Sequence, residues 1–443
     1  MLDDTIAAIA TGVGGGVGIV RISGSRAFEV ARRIFDRPLT ESRRLVFGRV
    51  IKGGVAIDEA LGCRFDAPRS YTGEDVVEVH CHGGAVVCRM VLEAALEAGA
   101  APAEAGAFTR RAFLNGRLDL AQAEAVGDLL SAKTEAAVHA AAGQLGGKLS
   151  GKLAELRQAA LDVSAHLLAS LDFPDEVDGL PPEALAARVR GVHSGIGRLL
   201  ATADDGRIIK NGVNVVITGA PNVGKSSLLN AIVGEDRAIV TDAAGTTRDV
   251  IETAVNIRGC LVNLLDTAGI RSGVDEAEAL GVARARAAAE KADLVLLVVD
   301  GTVGVRQADA EAMGIARGRN TICLVNKCDL PCMEVRLPGF DRVVPVSAKT
   351  GEGLDALFSV IEGMYARGGL AGETVVTGER HRQALVRAGA HTANCLTALD
   401  AGCPPDIALT ELELCIAALG EITGASINDE IVDHIFANFC VGK

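Results

Sequence analysis

The run Gly219-Ala220-Pro221-Asn222-Val223-Gly224-Lys225-Ser226 has the spacing G-x-x-x-x-G-K-S, and it stands between the apolar stretch Val213 to Thr218 and the helix-forming Ser227-Leu228-Leu229-Asn230. Those residue types in that order make a phosphate-binding loop. Glycines let backbone N–H groups close around phosphate oxygens at a helix N-terminus, Lys225 brings positive charge to the β- and γ-oxygens, and Ser226 offers a hydroxyl to Mg2+. Alone the run could be a chance glycine turn. It is followed, however, by Asp266-Thr267-Ala268-Gly269 at the end of the next apolar run, a carboxylate for the Mg2+ shell and a glycine amide for a γ-phosphate. Asn326-Lys327-Cys328-Asp329 closes a further run. Asp329 can accept two charge-assisted hydrogen bonds from the ring N–H and exocyclic amine of guanine, and adenine has no such donor pair. Ser347-Ala348-Lys349 follows one more strand-like run and supplies backbone contacts to the base.

The set predicts a guanine-nucleotide hydrolase domain. Its nucleotide contacts are Asn222, Val223, Gly224, Lys225, Ser226, Ser227, Thr247, Asp266, Gly269, Asn326, Lys327, Asp329, Ser347, Ala348 and Lys349. Thr247 lies in Gly245-Thr246-Thr247-Arg248-Asp249, where it can join Ser226 on Mg2+ as a switch ordered by the γ-phosphate. Ile270 stands where Ras-type enzymes carry a water-orienting Gln, so another group must orient the water or hydrolysis is slow. Glu278, with Asp275 and Glu276, offers carboxylates just beyond; the same residues also read as a solvated acidic helix start.

A site of this kind needs a scaffold of parallel strands, and the chain provides one. Apolar runs at Val213 to Thr218, Leu261 to Leu265, Leu294 to Val299, Thr321 to Val325 and Val343 to Val346 alternate with helical texture, the pattern of βαβ units. Helical texture flanks this block: Leu153, Leu156, Ala160, Val163, Leu167 and Leu171 step by three and four, as do Leu412, Cys415, Leu419 and Ile422. The expected architecture is multidomain: a mixed α/β domain over 1–118, a helical domain begun by 119–210 and completed by 369–443, and an inserted P-loop domain over 211–368.

The chain's 443 residues are enough for about three domains. With 44 Lys plus Arg against 57 Asp plus Glu, its net charge of −13 argues against wrapping nucleic acid non-specifically, though it leaves room for a local basic patch. Aromatics at 3% with no Trp make base-stacking platforms an improbable main device. The apolar runs are broken well short of the roughly 18 residues of a membrane span, and no secretory pattern opens the chain. The 11 cysteines are scattered without framework spacing, as expected of reduced thiols in a cytoplasmic protein. His80-Cys81-His82 with Cys88 lacks the paired spacing of a zinc site and reads as packing or site lining; Cys323, Cys328 and Cys332 read as small packing residues. Cys440, three residues before Lys443, reads equally as a reactive thiol or a small buried hydrophobe.

Several further stretches are specific to one family. Asp4-Thr5-Ile6, Gly16-Val17-Gly18-Ile19-Val20-Arg21-Ile22-Ser23-Gly24, Tyr71-Thr72-Gly73-Glu74-Asp75, Arg111-Ala112-Phe113-Leu114-Asn115, Leu118-Asp119-Leu120-Ala121-Gln122-Ala123-Glu124-Ala125 and the ending Phe439-Cys440-Val441-Gly442-Lys443 together resemble the MnmE (TrmE) family of tRNA-modifying GTPases along the whole chain. The resemblance implies a homodimer held by the N-terminal domains. It also implies a 5-formyl- or methylene-tetrahydrofolate site lined by Arg21, Glu78, Arg117 and Lys443. Position 117 is commonly Lys in that family, and Arg keeps the charge but changes its geometry. The resemblance further implies K+-dependent hydrolysis, with the ion held by the Asn222 side chain and backbone oxygens of Thr241, Ala243 and Thr246, with water oriented by Glu278, and with Cys440 taking part in modification. The implied partners are the FAD-containing MnmG (GidA), in a heterotetramer or larger complex, and tRNA, whose wobble uridine receives an aminomethyl or carboxymethylaminomethyl group; no membrane is implied. A rival of another class is an Era- or Der-like ribosome-assembly switch, which shares the phosphate loop and Asn326-Lys327-Cys328-Asp329. No basic G-x-x-G RNA-binding module follows the nucleotide domain, and the Cys440 tail has no use in that rival.

Overall fold

The computed structural model describes residues 4–173, 180–237, 251–265, 286–365, 374–427, 429–437 and 439–442. The chain divides into two compact units, one made of Met1–Leu130, Ala142–Gly197 and Gln383–Lys443, the other of Ser131–Ala141 and Arg198–Arg382.

The first unit opens with strands β1 (Ile6–Ile9), β2 (Val17–Ser23), β3 (Val46–Lys52), β4 (Val55–Phe65), β5 (Val76–His82) and β6 (Ala101–Pro102), in a sheet of order β3-β4-β5-β2-β1-β6. The β3–β4 hairpin turns on Gly53-Gly54, and neighbours are antiparallel except β1 and β6. Period-two alternation divides the sheet's two faces. Val20, Val77, Val79 and Cys81 are buried in one cluster with Ala31, Cys88 and Val91 from the helices Ala27–Ile34 and Ala85–Glu97. Arg21, Glu78 and His80 are therefore placed on the opposite face.

The helical part of this unit packs Lys148–Asp172 against Pro405–Thr423. Val163, Leu167, Leu185, Val189, Cys395, Ala408 and Leu412 form its core. The expected stripe ends at Leu167, since Leu171 is exposed one residue before the helix stops at Asp172. Among the described residues no helix is long and apolar enough to cross a membrane.

The second unit carries β7 (Val213–Thr218), β8 (Ile251–Ile257), β9 (Cys260–Leu265), β10 (Leu294–Asp300), β11 (Thr321–Asn326) and β12 (Val343–Pro345), ordered β12-β11-β10-β7-β9-β8. Strand β10 is buried at every position, as is β11, which is why both read as unbroken apolar runs. Strand β8 departs from the all-parallel expectation: it pairs antiparallel with β9 at the sheet edge. From β9 the chain crosses to the other side of β7 to form β10, so a crevice opens at the C-terminal ends of β7 and β10, where open α/β sheets bind ligands.

Candidate nucleotide and folate sites

The phosphate loop leaves β7 at that crevice and enters the helix Lys225–Arg237 at Lys225. Two residues fix its curvature. Asn222 takes the left-handed φ of +63°, which Asn tolerates better than most residues. Gly224 has φ +99°, and a Cβ there would come within 2.2 Å of Asn326 Nδ2. Lys225 Nζ donates to the carbonyls of Gly219 at 2.9 Å and Ala220 at 2.8 Å. Burial lowers the Lys225 ammonium below its ordinary value, while the charge of Asp309 works the other way. Ser226 and Ser227 are exposed in the first helical turn, and Val223 is buried beneath the loop.

The base-side residues are tied to this loop through Asn326. Its Nδ2 donates to Val223 O at 2.7 Å and its Oδ1 accepts from Ala348 N at 2.9 Å. Asp329 is exposed, and its Oδ1 accepts from Ser347 Oγ at 2.7 Å; Lys349 is exposed beside it. Lys327, at a left-handed φ of +68°, donates to Asp300 Oδ2 at 2.6 Å and to Asn222 O at 3.3 Å. Asp300 was not among the expected site residues. Its signal was an acidic residue closing the buried run of β10, where an unpaired carboxylate would be costly. Thr241, Ala243, Thr246, Thr247, Arg248, Asp266, Gly269, Ile270, Glu278 and Lys443 lie outside the described residues.

In the first unit, Arg21 and Glu78 are cross-strand partners on β2 and β5, with Arg21 Nε donating to Glu78 Oε1 at 2.9 Å. The guanidinium lies 5.1 Å from the centroid of the Tyr71 ring and 5.5 Å from that of Phe108. His80 Nε2 is 3.4 Å from Glu78 Oε2, and Cys63 is the cross-strand partner of Glu78 on β4. Arg117 is exposed, its Nε 3.4 Å from Ser70 O. Alternation along β5 separates the His80-Cys81-His82 trio: Cys81 packs with Cys88, their sulfurs 3.9 Å apart, while His82 pairs with Asp58. Of the three cysteines expected to be packing residues, Cys323 is buried and Cys328 half-buried, but Cys332 is exposed.

A buried arginine organises the rest of this face. Arg111, 4% exposed, donates to Asp4 Oδ1 at 2.7 Å and to Glu74 Oε2 at 3.0 Å, and Glu74 Oε2 accepts from Ser23 Oγ at 2.8 Å. Stretches near residues 4, 23, 74 and 111 thus meet in one network. The C-terminal segment docks on the same unit. Val441 bridges to Ala105, Cys440 O accepts from Gly106 N at 3.3 Å, and Gly442, at φ +97°, passes so near Ile9 that a Cβ would sit 2.1 Å from its carbonyl oxygen. The Cys440 side chain is exposed.

Two family models together cover nearly the whole chain. The model of the MnmE helical domain matches residues 120–440, and that of the GTP-binding protein TrmE N-terminus matches residues 5–117. Three relatives named tRNA modification GTPase MnmE align along their full lengths with all of this chain. That of Moorella thermoacetica is 44% identical over 463 residues. That of Geobacter sulfurreducens is 45% identical over 459 residues, and that of Symbiobacterium thermophilum 46% identical over 458 residues.

Proposed function

We propose a working scheme from one premise: the chain belongs to the family of tRNA modification GTPases MnmE. It is a GTPase of tRNA modification, built of a TrmE-type N-terminal domain, a helical domain and a P-loop domain. In the scheme, GTP is held by Asn222 to Ser227 and by Asn326, Lys327, Asp329 and Ser347 to Lys349, with Thr247, Asp266 and Gly269 toward the γ-phosphate. Ser226 and Thr247 hold Mg2+. Asn222, Thr241, Ala243 and Thr246 hold K+, whose charge beside the phosphates takes the part of an arginine finger. Glu278 orients the attacking water.

The first unit is the modification site. Its residues fit a reduced folate: Glu78 offers an acceptor for a pterin's N–H edge, Arg21 is framed by the Tyr71 and Phe108 rings, and exposed Arg117 can meet a glutamyl carboxylate. Lys443 completes the set, and the bound folate supplies the one-carbon unit. Arg21 and Glu78 fix each other's position on the sheet, so the pocket needs no rearrangement of charge to accept the ring. Cys440, exposed on the docked tail, acts in the modification step. The exposed Leu45, Phe47 and Leu61 on β4, its neighbour β3 and the approach to β3 support homodimerisation through this domain. MnmG brings FAD and acts with this chain on the wobble uridine of tRNA in the cytoplasm.

One observation carries the scheme. A guanine cradle closed by Asn326 and a ring-framed Arg21–Glu78 ion pair stand in different units of one chain, so that nucleotide hydrolysis can serve a second chemistry. The test is nucleoside analysis of tRNA from cells lacking the chain. Wobble-uridine modification should disappear, return with the wild-type copy and fail to return with Cys440→Ser. A fully modified wobble uridine in the deleted strain ends the scheme.

A further inference from the structure

Behind the sheet of the first unit, on the side of the helix Ala27–Ile34, a small cleft of about 20 Å3 is walled by Phe28, Leu39 and Val77 and rimmed by Arg32, Arg37 and Arg64. Arg64 lies with its guanidinium 3.9 Å from the Phe28 ring centroid and is neutralised by Asp66 at 2.5 Å. The other arginines are not neutralised. The Arg32 and Arg37 side chains are exposed, and their guanidiniums have no hydrogen bond or ion pair among the described residues. Arg43 is exposed and held at a left-handed φ of +62°, its N–H on Arg64 O and its Nη2 on the carbonyl of Arg69. That sets Arg43 and Arg69 against each other beside the cleft, and the Arg69 guanidinium is likewise exposed and unpaired among the described residues. Nearby carboxylates are already engaged: Glu29 with Arg33, Glu41 with Arg44, Asp36 with the Arg49 amide and Asp66 with Arg64.

Three uncommitted guanidiniums, with that of Arg43 held only by a neutral carbonyl, contrast with a chain of net charge −13. A free guanidinium presents a planar donor fork that matches a phosphate's oxygens, and it gives up hydration more readily than an ammonium. We propose that Arg32, Arg37, Arg43 and Arg69 form the surface on which this chain docks the phosphate backbone of its tRNA substrate. The inference rests on the tRNA-modification reading above and gives that substrate a place on the first unit. The ligand chemistry is a run of phosphodiesters. One cation per phosphate releases condensed counterions, so the interaction is strongly salt-dependent.

The test uses the full chain and an unmodified tRNA transcript, with binding followed by fluorescence anisotropy between about 50 and 200 mM salt. Arg32→Ala, Arg37→Ala and Arg69→Ala should each weaken binding by roughly three- to tenfold and lower the salt slope by about 1, and Arg→Lys at the same sites should restore the slope but only part of the affinity. GTP turnover without tRNA should match the wild type in all three, which also shows that they fold. Unchanged affinity and slope in the triple alanine variant overturn the surface and leave the tRNA reading standing. A wild-type chain that leaves tRNA unbound, or a triple variant that loses binding only to vesicles of phosphatidylserine and phosphatidylcholine, overturns it as well. Failure of the underlying reading shows separately, as wobble modification that persists in cells without the chain.

Discussion

Asn326 donates its side-chain amide to the carbonyl of Val223 across 2.7 Å, joining the guanine-side loop to the phosphate loop. The same side chain accepts from Ala348 N and is 1% exposed. Asn326→Ala therefore strands a carbonyl and an N–H that have no other partner among the described residues, at a cost of about 1–3 kcal/mol in unfolding free energy. Both loops lose their common tie, so affinity for a fluorescent guanine nucleotide should fall by at least about tenfold. Asn326→Asp keeps the bond to Ala348 but turns an oxygen toward the Val223 carbonyl, and it should bind nucleotide no better than the alanine variant. Urea unfolding and nucleotide titration decide; wild-type values for both variants would show that the two loops are held by something else.

Asp300 extends that argument to acid. Burial pushes its carboxyl upward, but the hydrogen bonds from Lys327 and from the Thr302 hydroxyl and amide, with the charge of Lys327, outweigh burial and hold it below the ordinary carboxylate value. A carboxylate lowered in the folded state contributes stability that is fully present above its unfolded value, near 3.9, and is lost as pH falls through the lower folded value. Unfolding followed from neutral pH downward should show wild type more stable than Asp300→Asn at neutrality, with the gap closing below about pH 4. A constant gap through that range would mean that the Lys327 pair contributes nothing through charge.

How far these contacts could be read in advance depends on sequence separation. The phosphate loop and Asn326 to Asp329 are short runs with fixed spacing, and β10 and β11 are buried on both faces, so each announces itself locally. Strand β8 does not: at the sheet edge it pairs on one side only, and its antiparallel register with β9 is set by the turn at Arg258-Gly259. The partners of Asp300 and Arg111 are likewise made by topology. Lys327 lies 27 positions from Asp300, and Arg111 meets Asp4 and Glu74 across 107 and 37 positions. Asp4, Glu74 and Arg111 were visible as members of family stretches, but the physical reason for them, a buried guanidinium that needs two carboxylates, exists only in the fold.

The thiols divide sharply by environment. Burial pushes Cys323 up to about 12 and Cys260 up to about 11. Burial, with Cys395 adding to it, pushes Cys415 up to about 12, and burial, with the charge of Glu411, pushes Cys395 up to about 11. At pH 8 a thiol of pKa 12 is ionised in about one molecule in ten thousand, and its sulfur is also out of reach. Brief alkylation of the native chain with iodoacetamide at pH 8 should label the exposed Cys332, Cys403 and Cys440, leaving those four unlabelled until denaturant is added. Peptide mass spectrometry reads the result. Labelling of Cys323 as fast as Cys332 would show that the sheet of the second unit opens readily; an unlabelled Cys440 would mean that the docked tail hides its thiol and would weaken its part in modification.

The proposed potassium site turns on a residue whose backbone is as demanding as its side chain. Asn222 sits at φ +63°, where alanine is strained and glycine is not, and its carbonyl oxygen accepts from Lys327. Asn222→Ala alone would therefore confuse loss of an ion ligand with distortion of the loop. Asn222→Gly removes the same side-chain oxygen while easing the backbone. If that oxygen holds K+, wild type should hydrolyse GTP at least about tenfold faster in K+ than in Na+, the scale expected for removing one transition-state charge contact. Both variants should lose the difference while keeping nucleotide affinity within a few-fold. Equal wild-type rates in the two salts sink the potassium proposal outright. A glycine variant that keeps the K+ response while the alanine variant loses it would place the requirement in the loop's curvature rather than in the Asn222 oxygen.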